Sequence, residues 1–262
     1  GQTLGHDQQS DFRQGQLDRV ADLKQLTQDA LAGKETTDPA FKALQLVAHR
    51  NAIPARHPLE LIGGFEMDAE QRTYETIEDT LDYCYHVAGV VGVMMTMIMG
   101  ARGEPVLDRA SDLGIAFQLT NIARDVVEDA EAGRVYLPRQ WLREAGIETV
   151  NAADRDQWPA LHAVALRLLD HAEPYYASAL SGVSALPPRS AWAVAAARRV
   201  YRDIGQKIRS DGPNAWATRV STGKARKAWM LALSAGDVAG SRFERAEDGA
   251  GRDGLYQRPH SS

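Results

Sequence analysis

The sequence predicts an all-α protein. Apolar residues recur at helical spacing in segment after segment, proline and glycine mostly fall between those segments, and no stretch alternates with period two over a convincing length. Residues 1 to 10 are polar and expected to be mobile. From Phe12 to Leu31 the positions Leu17, Val20, Leu23, Leu26, Ala30 and Leu31 share a helical face, which Gly33 ends. Asp38-Pro39 reads as an N-cap with proline at the first helical position, opening a helix through Val47. His57-Pro58 opens a short one through Met67. Asp79 to Met99 is apolar on every side and should be a central helix. Its Gly89 and Gly92 would each cost about 1 kcal/mol in a helix interior, so they imply close approach by another helix or by an apolar ligand.

After a loop from Gly100 to Pro105, a helix runs from about Asp108 to Ala132, and another from Pro138 to Ala145 is closed by Gly146. Pro159 to Leu180 is amphipathic with a kink expected at Pro174, Arg189 to Arg209 follows Pro187-Pro188, and a last short helix spans Thr222 to Leu233. From Gly236 onward Gly, Arg, Asp, Glu and Ser dominate. Residues 1–235 are therefore expected to form one domain and 236–262 a disordered tail. There is no repeat at a fixed period.

The chain has 262 residues, 44% hydrophobic and 25% charged, the composition of an ordinary globular protein. A net charge of −5 without a basic block argues against nucleic acid as a partner. The one cysteine, Cys84, excludes a disulfide framework and suits a reducing compartment. The longest apolar run, Val87 to Met99, is 13 residues, against the ~20 a helix needs to span a bilayer. The seven histidines show no H-E-x-x-H spacing, and no glycine-rich dinucleotide fingerprint follows a strand. These features suggest a soluble or peripheral protein of the cytoplasm.

Chemistry concentrates between Phe117 and Pro138. On a helix, Gln118, Asn121, Asp125 and Asp129 fall at steps of three, four and four and share one face. Asp125 and Asp129 stand one turn apart, about 6 Å along the axis, and repel. Glu128 and Glu131 add negative charge where the helix dipole already disfavours it. A divalent cation removes that penalty, and Mg²⁺ takes the oxygens that two carboxylates and an amide carbonyl provide. Magnesium held by few protein groups completes its shell with water and substrate phosphates, so the implied substrate is a phosphate ester or diphosphate. Arg124 and Arg134 flank the acids and have the geometry to grip phosphate oxygens. Asp7/Asp11, Asp18/Asp22 and Asp108/Asp112 repeat the D-x-x-x-D spacing without its surroundings. The last pair lies roughly 20 Å along the helix from Asp125/Asp129, too far to share a metal cluster.

The pattern Q-x-x-N-x-x-R-D-x-x-x-D-x-x-x-x-R-x-Y-L-P, from Gln118 to Pro138, resembles the second aspartate-rich motif of the squalene/phytoene synthase family, and most closely its bacterial phytoene synthases. Three further stretches resemble the family in the right order. They are Gly64-Phe65-Glu66-Met67-Asp68 with Arg72 and Tyr74, Tyr83-Cys84-Tyr85-His86-Val87-Ala88-Gly89-Val90-Val91-Gly92, and Ala197 to Gly205. The resemblance implies an isoprenoid-synthase helical bundle around a central apolar cavity. It also implies Mg²⁺ (or Mn²⁺) held by Asn121, Asp125 and Asp129, and diphosphate gripped by Arg124 and Arg134 with support from Gln118. Tyr83 and Tyr201 would border the reacting carbons beside the catalytic aspartates, and Val87, Gly89 and Tyr136 would contact the prenyl substrate.

The implied reaction joins two geranylgeranyl diphosphates head to head, through a cyclopropyl diphosphate, to phytoene, with no nicotinamide cofactor. The membrane association it implies is at most peripheral, on the inner face of the plasma membrane. Squalene or dehydrosqualene synthesis from farnesyl diphosphate, or a non-catalytic assembly role, are the alternatives. The opening Gly1-Gln2-Thr3-Leu4-Gly5 resembles the segment directly after the family's first aspartate-rich motif. The expectation is therefore of an N-terminally truncated fragment with essentially no turnover by itself.

Overall fold

The computed structural model describes residues 6–217, 230, 233–234, 236–241 and 251–260. Among these residues the regular elements are all helical, and they fall into two compact units, Gly1–Arg72 and Thr73–Ser262.

The first unit packs α1 (His6–Leu31) against α2 (Pro39–Arg50) and α3 (Arg56–Ala69). The helix expected from Phe12 begins at His6, inside the segment expected to be mobile. Asp38 caps α2 as predicted: its side chain accepts from the Ala40 N–H at 2.7 Å, with Pro39 supplying the first helical residue. In α3, His57 is buried, and its Nδ1 lies 3.0 Å from Glu60 one turn on.

The second unit begins with α4 (Ile77–Cys84), two residues before the expected start, because Thr76 and Asp79 form a capping box. The helical path from Ile77 to Ile98 is long and apolar enough to cross a membrane, but half of its most apolar window is buried inside the protein, as in a core helix. It is not one regular helix either. Tyr85–Gly89 forms a π-helical turn between α4 and α5 (Val90–Ile98), a wider turn that locally re-aims side chains.

The longest element, α6 (Glu104–Glu131), runs along α8 (Trp158–Gly182) and also packs on α5 and on α9 (Pro188–Asp211). Its end is set by Gly133, whose φ of 77° lets the Arg134 N–H reach back to the Asp129 carbonyl at 2.8 Å. The short α7 (Arg139–Glu144) follows Pro138, and α8 continues through Pro174. A 3₁₀ turn, Gly212–Ala217, brings the Trp216 indole N–H to the Ala123 carbonyl of α6 at 3.1 Å. The helix expected over Thr222–Leu233 lies almost wholly outside the described residues.

Two described parts of the tail depart from the disorder its composition predicts. Residues 236–241 are helical. Residues 251–260 pack against α6, with Leu255 and Arg258 buried. Polar composition signals disorder only where charged side chains lack partners, and here the arginines find them. Arg252 binds Asp112 through Nε and an Nη at 2.8 and 2.9 Å, and Arg258 meets Glu104 and Asp108.

Candidate active site

Within the second unit a cavity of about 510 Å³ opens between the π-helical turn, α5, α6, α8 and α9, within the ~300–1,000 Å³ range of ligand pockets. Val87, Val91, Met95 and Met99, four residues apart in succession, form one wall. On α6 the lining runs from Val106 to Asn121, about 22 Å of helix. Ala179 and Gly182 of α8, and Val194, Ala197 and Tyr201 of α9, complete it. The result is a long apolar slot with few polar groups.

Two of those groups, Gln118 and Asn121, lead along α6 towards the acids. The Asn121 amide N–H donates to Gln118 Oε1 at 3.3 Å, while Asn121 Oδ1 is buried with no hydrogen-bond donor. Leaving a buried amide oxygen unpaired typically costs about 1–3 kcal/mol, which a bound cation or donor would recover. One turn further, Arg124 forms a two-pronged pair with Asp125, Nε to Oδ1 at 2.7 Å and an Nη to Oδ2. That hydrogen-bonded carboxylate raises the Arg124 pKa above its ordinary value, against the lowering effect of burial. Asp129 lines a small recess with Arg134 and Tyr136 rather than the main cavity. The acidic face foreseen in the sequence therefore leads from the cavity wall, at Gln118 and Asn121, to Asp125 and on to this recess.

Tyr201 is on the cavity wall, stacked on Phe117 with ring centroids 4.1 Å apart. Phe117 in turn tilts against Tyr176, whose hydroxyl pairs with Thr120 at 2.8 Å. Burial pushes the Tyr176 phenol well above its ordinary pKa, so it stays protonated. Val87 is on the wall as well.

Three other expectations are redirected. Tyr83 and Tyr136 do not line the cavity; they stack on one another at 4.7 Å, with Tyr74 against both. The reason is helical phase: Val87 is four residues from Tyr83, but the intervening π-helical turn breaks the shared face. Gly89 also faces away from the cavity, since a Cβ there would meet Ser111 Oγ at 2.9 Å and Tyr85 at 3.0 Å. Gly92 borders the cavity, but a Cβ on it would stand 2.3 Å from the Ala110 carbonyl oxygen. Of the two uses open to these glycines, close helix packing is the one built here.

Phe117, Met95 and Met99, given no individual role from the sequence, line the cavity. The i, i+4 stripe Val87–Val91–Met95–Met99 was the available signal. Arg198, within the stretch Ala197 to Gly205, is buried and donates from Nε to the Tyr176 carbonyl at 2.7 Å.

The squalene/phytoene synthase family model matches residues 5–226 of the chain. The chain belongs to the squalene/phytoene synthase family. Among curated relatives, this family member is 52% identical to a 15-cis-phytoene synthase of Paracoccus sp., over 92% of this chain and 78% of that protein. It is 49% identical to a phytoene synthase of Pseudescherichia vulneris, over 98% and 83%. Among solved structures, a dehydrosqualene synthase in complex with ligand is similar with a TM-score of 0.74 and 26% identity, covering 84% of this chain and 78% of that one. The fold is accordingly the all-α isoprenoid-synthase fold.

Proposed function

We propose that the chain is a phytoene synthase, joining two geranylgeranyl diphosphates head to head through a cyclopropyl diphosphate to phytoene. The observation that carries this reading is the junction on α6. There a long apolar slot meets the unpaired oxygen of Asn121, one turn before Asp125. A prenyl diphosphate has that same division, an apolar tail ending in a multiply charged anionic head. Relatives at about half identity that bear the name phytoene synthase support the C20 substrate over the C15 one.

The slot would hold the tail and exclude water from the reacting carbons. The stacked pair of Phe117 and Tyr201 presents ring faces, which favour positive charge developing on carbon. Asn121, Asp125 and Asp129 form an all-oxygen donor set that fits Mg²⁺, or Mn²⁺, which share that ligand preference. A bound ion supplies charge neutralisation to the departing diphosphate. Arg124 neutralises Asp125 in the structure; release from that pair would free its guanidinium for phosphate oxygens, with Arg134 as second donor. No nicotinamide cofactor enters this chemistry. The proposed setting is the cytoplasm; a lipid-partitioning tail and product favour peripheral contact with the inner face of the membrane.

Millimolar Mg²⁺ with diphosphate should raise the melting temperature. Saturation to one hundred times the dissociation constant corresponds to about 2.7 kcal/mol. The Asp125→Asn/Asp129→Asn double variant should lose the shift; an undiminished shift would overturn the ligand assignment. Product analysis on C15 and C20 diphosphates decides the substrate, and a C30 hydrocarbon as sole product would overturn the phytoene reading.

A further inference from the structure

Helix α6 carries two aspartate pairs of identical spacing, Asp108/Asp112 and Asp125/Asp129. The second belongs to the site just described, and the first is buried under the chain's own C-terminal segment. Asp112, fully buried, receives the Arg252 guanidinium on both oxygens and the Ser178 hydroxyl on Oδ2. Asp108 faces two arginines and a histidine: Arg258 Nε at 2.7 Å, His260 Nε2 at 3.0 Å and an Arg252 Nη at 3.4 Å. The segment is shaped for this position, since Gly254, at a φ of 78°, closes a turn in which the Leu255 N–H reaches the Arg252 carbonyl.

Its grip extends beyond α6. The Tyr256 ring stacks on Tyr85 in the π-helical turn at 5.4 Å, and its hydroxyl donates to Asp82 of α4 at 3.0 Å. Its backbone N–H donates to the Tyr175 hydroxyl of α8 at 3.0 Å. The π-helical turn, α6 and α8 all contribute cavity wall. From Asp112 the contacts also run inward. Ser178 accepts from an Arg109 Nη at 3.3 Å through its hydroxyl and at 3.0 Å through its carbonyl. Arg109 lines the cavity, and a Cβ on Gly182 would meet Arg109 Cβ at 2.9 Å. A chain of polar contacts thus joins Arg252, Asp112, Ser178 and Arg109, from the tail to the cavity.

We propose that residues 251–260 are a strap that positions the wall of the apolar cavity, with Arg252 as the positioning residue acting through Asp112 and Ser178 on Arg109. Through its bonds to Ser178, the guanidinium of Arg109, a residue of the cavity wall, is tied to α8. Released, it would bring a charge to an apolar surface and weaken the binding of a hydrocarbon tail. The proposal rests on the cavity being the prenyl site.

The test uses the full chain and geranylgeraniol, which offers the tail without the diphosphate. Arg252→Ala should weaken geranylgeraniol binding at least tenfold, Arg252→Lys should restore part of the loss, and the Mg²⁺-diphosphate shift at the distant Asp125/Asp129 pair should persist. Because Arg252→Ala leaves the buried Asp112 without its arginine and could unfold the chain, Arg252→Gln/Asp112→Asn removes both charges together and should show the same weakening. Unchanged geranylgeraniol affinity in a folded variant of either kind overturns the strap. Failure of the unaltered chain to bind geranylgeraniol removes the cavity reading itself, and the proposal with it.

Discussion

The crossing between the π-helical turn with α5 and helix α6 can be tested through Gly114. A Cβ built on Gly114 stands 2.2 Å from the Ala88 carbonyl oxygen, 2.6 Å from its carbon and 2.8 Å from Gly89 Cα. All three are backbone atoms, so no side-chain rotation relieves the clash. Gly114→Ala must push the helices about 0.8 Å apart to restore a 3.0 Å approach. A radial gap of ~0.5–1 Å forfeits a quarter to a half of each dispersion contact across the crossing, and overpacking of this sort typically costs about 1–3 kcal/mol. Replacing a helix glycine returns up to about 1 kcal/mol. With a rigid backbone as the obstacle, a net loss of about 2 kcal/mol is expected, or a melting temperature lower by roughly 4–8 °C for a unit of this size. All five tryptophans lie beyond Arg72, so tryptophan fluorescence reports on the second unit. Gly15 in α1 provides the contrast: nothing lies within 4 Å of its Cβ position, and Gly15→Ala should stabilise the first unit slightly. If Gly114→Ala raises the fluorescence-detected melting temperature, the close backbone approach is wrong.

Burial leads to two further outcomes. Cys84 is fully buried and its thiol is pushed well above its ordinary pKa by desolvation. At pH 8 it should react with a thiol reagent only after denaturant unfolds the chain; rapid stoichiometric labelling of the native protein would contradict its placement. His171 stacks on Trp141, and burial holds its pKa below the ordinary value near 6.5, with Arg167 contributing in the same direction. The unfolded chain then binds the proton more readily than the folded one. Stability is therefore undiminished above pH 6.5 and falls as pH drops below it. His171→Gln should flatten that part of the melting profile between pH 7.5 and 5.5, and an unchanged slope would refute the assignment.

Much of this protein was readable from the chain because its determinants are local. The helix start at Asp38-Pro39, the stop at Gly133 and the single helix carrying Gln118, Asn121, Asp125 and Asp129 depend on neighbours within about one turn, and all appear in the structure. The residue pattern around that face also led to the right family. What stayed hidden depends on partners distant in the chain. Asp108/Asp112 and Asp125/Asp129 have the same spacing, yet one pair is neutralised by arginines about 140 residues away while the other leads from the cavity wall. A polar tail looks disordered until those carboxylates are found for it. Gly92 serves helix contact because of a carbonyl on α6, and Tyr83 is turned to Tyr136 by a π-helical turn that no residue type announces. Spacing along a helix sets which side chains share a face; what that face meets is decided by the packing of elements far apart in sequence, where a shift of one ångström changes the outcome.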